Sequence, residues 1–143
     1  MRPFRDFRVW QDSHQLTLRI YKITRLFPRD ERYALTNQMW RAAYSIPMNI
    51  AEGSAKGDRE FHQALRIALG SATELEYQLL LAKDLGYLPL AEYSEVDACV
   101  LSVKRQLVSF MQKVQEPVRE ANGQRPTANG PADGRRTTAG GTP

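Results

Sequence analysis

Residues 38–53 read Q-M-W-R-A-A-Y-S-I-P-M-N-I-A-E-G, a helical pattern with a proline in its middle. Small or apolar residues recur at Leu35, Met39, Ala42, Ile46, Ile50 and Gly53, the three-and-four spacing that turns one face of a helix inward. Pro47 falls inside that run. Proline has no backbone N–H, and its ring crowds the carbonyl four residues back, here that of Ala43, so an uncompensated interior proline costs roughly 3 kcal/mol. One reading is a kinked, continuous helix in which Asn49 or Ser45 bonds the backbone groups freed at the kink. The other is a helix that stops at Ile46, because residues before proline avoid the helical region. The continuous helix is the stronger reading, and Ala42, Ala43 and Ser45 leave room for a neighbour to come close. It makes this segment the buried centre of an all-helical bundle.

Upstream, Trp10, Leu16, Ile20, Ile23 and Phe27 repeat at helical spacing over Val9 to Phe27, which predicts a first helix ended by Pro28. Its other side carries Arg8, Asp12, Gln15, Arg19 and Lys22, continued by Arg25 and Arg29. The second helix is expected from about Asp30 to Ala55, with Gly53 and Gly57 supplying the stop. Asp58 then suits the N-cap of a third helix, whose seam is Phe61, Leu65, Ala68, Ala72, Leu75, Leu79 and Ala82. Gly70, Ser71 and Ala72 invite close packing against the second helix, and Gly86 ends the third. Pro89 suits the first turn of a fourth helix with the seam Tyr93, Val96, Val100, Val103, Leu107, Phe110 and Val114. Long helices with short loops imply an antiparallel up-down four-helix bundle over residues 1–116. Residues 117–143 turn to Gly, Pro, Thr, Ala, Asn and Arg without apolar periodicity, and a disordered tail is expected there.

Further apolar residues lie outside the seams: Ile67, Leu69, Tyr77, Leu80 and Leu81 on the third helix, and Leu101, Val108 and Met111 on the fourth. One stripe per helix is enough for a four-helix core, so the surplus points to self-association. Charge is also uneven. Residues 1–28 carry six basic and two acidic side chains, whereas residues 58–88 carry three and five, within a chain of net charge +4. A basic first helix suits an acidic partner such as RNA or DNA, although a solvated helix face has the same composition.

The segments Phe27-Pro28, Glu31, Tyr33-Ala34-Leu35 and Gln38, the block R-A-A-Y-S-I-P-M-N-I-A-E-G from Arg41 to Gly53, Glu60-Phe61, and A-L-G-S-A-T-E-L-E from Ala68 to Glu76 resemble a bacterial family. It is the four-helix-bundle family named for open reading frames in intervening sequences of 23S ribosomal RNA genes, and the resemblance covers roughly residues 4–115. The resemblance implies a long up-down four-helix bundle assembling as a homopentameric ring or barrel. It also implies a distant relation to the accessory variability determinant of diversity-generating retroelements, a pentameric basic barrel that engages a reverse transcriptase and RNA.

Catalytic constellations are not apparent. His14 and His62 are the only histidines, and neither belongs to a metal-binding helical motif. Cys99, between Val96 and Val100, reads as a buried inert thiol. Arg8 and His14 match a loose Arg-x5-His spacing known from HEPN-type helical ribonucleases, but six residues along a helix set the two about 120° apart. Glu52, Glu74 and Glu76 read as caps, solvated acids or partners of Arg41 and Arg66. No cofactor, metal or enzyme activity is expected. The single cysteine fits a reducing compartment, the N-terminus lacks a signal-peptide core, and no apolar run reaches about 18 residues, so a cytoplasmic protein without a membrane span is expected.

Two functions fit. The first is a nucleic-acid-binding oligomer that positions phosphates through Arg19, Lys22, Arg25 and Arg29, with Arg41, Lys56, Arg59 and Arg66 as lesser contributors, and reads no bases. The second is a protein-interaction scaffold, such as an accessory subunit of a reverse transcriptase.

Overall fold

The computed structural model describes residues 2–134, with side chains as far as Val114. Four α-helices form: α1 (Arg8–Thr24), α2 (Leu35–Ser54), α3 (Asp58–Asp84) and α4 (Leu90–Gly134), with 3-10 turns at Phe4–Asp6 and Arg29–Glu31. Among the described residues there is no strand.

The helix through Pro47 is unbroken, and the reason lies on its neighbour. Proline at 47 withholds the N–H that the Ala43 carbonyl would accept in a regular helix. The Thr17 hydroxyl of α1 donates to that carbonyl at 3.1 Å. The same hydroxyl lies 2.9 Å from the Ser13 carbonyl, so its one proton is shared between two acceptors. Thr17 and Ala43 are both buried, where an unpaired carbonyl would carry its full desolvation cost. The expected compensation by Asn49 or Ser45 takes a different form. Asn49 Nδ2 donates to the Ser45 carbonyl at 2.7 Å, and Ser45 Oγ lies 2.9 Å from Ser71 Oγ, so these residues tie α2 to α3 and leave Ala43 to Thr17.

Small residues then set the distance between α2 and α3. Gly53 is buried one residue before the end of α2, and a Cβ built on it would stand 2.6 Å from Ala64 Cβ and 3.0 Å from Phe61 Cδ1. Its missing side chain permits close approach, and the helix continues past it to Ser54. Gly70, by contrast, faces open space, so only Ser71 and Ala72 of the expected small-residue patch pack inward.

The apolar seams pack as their spacing predicts. All seven residues of the third-helix seam are buried, as are Val96, Val100, Val103 and Leu107 of α4, while Tyr93, Phe110 and Val114 pack at its margin. Phe7, just before α1, closes one end with a T-shaped contact to Phe110 (centroids 5.1 Å apart) and a stacked one to Phe61 (6.2 Å). At the other end Tyr87 donates to Glu31 Oε2 at 2.8 Å.

Several boundaries differ from the sequence expectation. α2 begins at Leu35, five residues late, because Ala34 leaves the helical region (φ −124°, ψ −105°) and the Glu31 carboxylate accepts the Leu35 N–H at 3.3 Å. Asp58 is the first residue of α3, not its cap; Gly57 precedes it in an extended conformation, and the acid acts through the helix dipole. α3 ends as expected at Gly86 (φ +83°), where the Tyr87 N–H bonds the Ala82 carbonyl at 2.9 Å and the Gly86 N–H bonds that of Lys83 at 3.0 Å. α4 is helical from Leu90 to Gly134, past the bundle boundary expected at 116. The rest of the expected tail, residues 135–143, lies outside the described residues.

Thr17→Val should lower unfolding stability by about 1–3 kcal/mol by leaving the Ala43 carbonyl unpaired. In a Pro47→Ala background, where the N–H of residue 47 serves that carbonyl, the same change should cost less than half as much; a denaturation double-mutant cycle reads the difference. Gly53→Ala should cost about 1–3 kcal/mol despite the better helix propensity of alanine, and Ala64→Gly added to it should recover part of the loss.

Candidate nucleic-acid interface

Opposite charges at hydrogen-bonding distance neutralise each other, so a basic residue is available to a phosphate only where no carboxylate already holds it. Arg19 fails that criterion. Its guanidinium donates to Glu95 Oε1 of α4 at 2.5 Å, and that bond raises the arginine above its ordinary pKa. The acids of α4 thus meet the helix-one stripe within a single chain. Lys22, Arg25, Arg29, Arg41, Lys56, Arg59 and Arg66 are exposed, and among the described residues none forms an ion pair.

The eight sequence candidates do not converge on one surface. Arg19 and Lys22 line a groove of about 800 Å³ between α1 and α4, together with Asp12 and Glu92, so its charges cancel. Lys56 and Arg59 line a separate groove at the α2–α3 turn with Glu52, Asp58 and Glu60, which leaves it one charge negative. Arg41 shares a third with Glu74, and Arg25 and Arg29 flank the turn that leads to α2.

A fourth groove has a different balance. Arg2, Arg8, Arg105 and Lys113 surround a space of about 570 Å³ between the start of α1 and α4, with Asp6 as the lone carboxylate among its lining residues, an excess of three positive charges. Arg8 reaches Asp12 at 3.6 Å, a loose pair with the arginine side chain 85% exposed. Of these residues only Arg8 belongs to the stripe legible in the sequence. Arg105 and Lys113 are about a hundred residues away and sit on a helix whose net charge is negative; their two-turn spacing opposite the Val100–Val103–Leu107 seam is the signal that finds them.

The remaining chemical candidates are placed apart. His14 stacks on Trp10 (centroids 5.0 Å apart), while Arg8 turns to Asp12. Glu76 pairs with Lys104 at 2.7 Å, not with Arg41 or Arg66, and Glu74 accepts from Gln78. Cys99 is exposed in the α1–α4 groove, a correction to its expected burial: it lies about 100° round the helix from Val100. Among the described residues no group of three metal-ligating side chains comes together, and no helix is long and apolar enough to cross a membrane.

The family model described as 23S rRNA-intervening sequence protein matches residues 5–109. The chain belongs to that family. The match takes in α1, α2, α3 and α4 as far as Ser109, so Lys113 lies beyond it. A crystal structure from Bacteroides thetaiotaomicron VPI-5482, of a protein with unknown function from the S23 ribosomal protein family, is similar with a TM-score of 0.68 and 24% sequence identity. The similarity covers 73% of this chain and 95% of that one, and it is a likeness of fold. No curated protein matches the chain.

Because Glu95 is largely exposed, Glu95→Gln should change stability by less than about 1 kcal/mol in urea denaturation, while freeing the Arg19 guanidinium.

Proposed function

We propose that this member of the 23S rRNA-intervening sequence protein family is a non-catalytic, oligomeric nucleic-acid-binding protein that contacts phosphates and reads no bases. The observation that carries this reading is the set of exposed basic side chains, Lys22, Arg25, Arg29, Arg41, Lys56, Arg59 and Arg66, none in an ion pair among the described residues. They are dispersed over several faces, which suits sequence-independent contact along a polyanion better than a pocket for one small ligand. The family takes its name from 23S rRNA, which favours RNA as the nucleic acid to test first.

Assembly multiplies these contacts. The pairs Arg19–Glu95, Asp12–Gln106 and Glu31–Tyr87 support an antiparallel up-down course for the helices. Tyr77 and Leu80 on α3 and Val108 on α4 expose apolar surface beside an α3–α4 groove lined by Leu69, Leu101 and Val108. Burial of that surface against a second copy is the basis for a homopentameric ring in the cytoplasm. In a ring each weak phosphate contact recurs once per subunit, and effective concentration makes the sum strong.

Light-scattering mass of the purified protein, with and without a mixed-sequence single-stranded RNA, tests both parts. The expected result is a stable assembly of about five subunit masses that gains RNA mass at about 50 mM salt and loses it by about 200 mM, where several phosphate contacts weaken by the order of a thousandfold. An assembly that ignores RNA at every salt would overturn the nucleic-acid reading in favour of a protein scaffold, such as a reverse-transcriptase accessory subunit.

A further inference from the structure

We infer that the groove between the start of α1 and residues 105–113 of α4 is the principal cradle for the phosphodiester backbone, an assignment that rests on the nucleic-acid reading above. Four cations, Arg2, Arg8, Arg105 and Lys113, face one carboxylate, Asp6, across about 570 Å³. The α1–α4 groove that holds Arg19 and Lys22 has no net charge, and the α2–α3 turn has an excess of one carboxylate. A polyanion is drawn to the largest uncompensated excess, and even with Arg8 set against Asp12 an excess of two remains here.

The four cations are only loosely committed within the chain. Arg2 donates to the Asp6 backbone carbonyl at 3.1 Å and lies over the Phe7 ring, 5.4 Å from its centroid. Neither contact neutralises its charge. Arg8 makes the loose pair with Asp12 already described. Arg105 and Lys113 are exposed, and among the described residues neither is in an ion pair; Arg105 also borders the α3–α4 groove assigned to assembly, so assembly is read alongside binding in the test below. Phe7, Val9 and Phe110 form an apolar floor, and Phe7 and Phe110 are locked in their T-shaped contact. Low-dielectric material beneath the cations strengthens their field toward solvent. Gln106 and Ser109, between the two α4 cations, add neutral polar groups to the same wall.

Spacing argues for a chain of phosphates over a single anion. Arg105 and Lys113 are two turns apart on one face of α4, about 12 Å along the axis, too far to grip one phosphate together. An extended backbone can meet both, with Arg2 and Arg8 opposite. The phosphodiester is common to RNA and DNA, and the ribose has no designated partner in this groove.

Fluorescence anisotropy with a labelled mixed-sequence single-stranded RNA, the DNA of the same sequence and labelled polyglutamate tests the assignment on the full chain. Counterion release is worth about eightfold per single-strand phosphate contact at about 50 mM salt, so Arg105→Glu/Lys113→Glu should weaken RNA binding about sixtyfold. The slope of log affinity against log salt should fall by roughly 1.4. Lys22→Glu/Arg25→Glu should lose less. Circular dichroism melting and light scattering show whether the variants remain folded and assembled, and Arg105→Gln/Lys113→Gln, which adds no acid but forfeits the same two contacts, should also lose about sixtyfold. Wild-type binding of RNA or DNA with the groove variants unchanged, or with the Lys22/Arg25 variant the weaker of the two, overturns the groove and leaves the nucleic-acid reading standing. Polyglutamate bound as tightly as RNA overturns the phosphate assignment. A wild-type protein that binds neither nucleic acid at any salt overturns the reading on which the groove rests.

Discussion

One hydrogen bond reconciles the sequence of α2 with its conformation: the Thr17 hydroxyl on the Ala43 carbonyl. Pro47 leaves a buried acceptor without its usual donor four residues on, and an adjoining helix supplies one in its place. That requirement fixes the rotation of α1 against α2, because Thr17 must face Ala43. With that rotation set, Ile20 and Ile23 turn into the core, and Thr24 meets the Trp40 indole, which donates to its hydroxyl at 2.9 Å. On the opposite flank, Gly53 and the Ser45–Ser71 contact bring α3 close. The second helix is thus held on two sides by small polar groups and a missing side chain, and the larger apolar residues fill what those contacts leave.

The sequence made the helices and their inward faces legible because periodicity is a local property. The third-helix seam and the middle of the fourth are buried as their spacing requires, and the proline-interrupted stretch is one helix. What stayed hidden depends on neighbours distant in the chain. The partner of Ala43 is on another helix, and spacing within α2 points only to Asn49 and Ser45. Gly53 reads as a stop signal until Ala64 is seen 2.6 Å from where its Cβ would be. Cys99 is adjacent in sequence to a buried valine, yet one step of a helix carries it out to solvent.

The charged surface was legible in amount and not in arrangement. The basic bias of the first 28 residues is evident from composition, but Arg19 is paired with Glu95, and Arg2 and Arg8 gain company only from Arg105 and Lys113. A count of charges per segment hides this, because Glu92 and Glu95 stand near the start of α4, ten residues or more before Arg105 and Lys113. Charge excess per groove separates the surfaces where charge per helix does not.

The short turn Ala55–Gly57 between α2 and α3 has a kinetic consequence. The two helices joined by it close the smallest loop between any pair in this fold, so their contacts cost the least chain entropy to form. The Gly53–Ala64 approach and the Ser45–Ser71 bond belong to this inner pair, whereas the Phe7–Phe110 contact needs both outer helices. During synthesis the pair is complete while α4 is still unmade, and α1 can already dock on it through Thr17. The seam of α3 that α4 will cover is then still open to water. Newly made chains are therefore most adhesive to one another along the side where α4 has yet to dock.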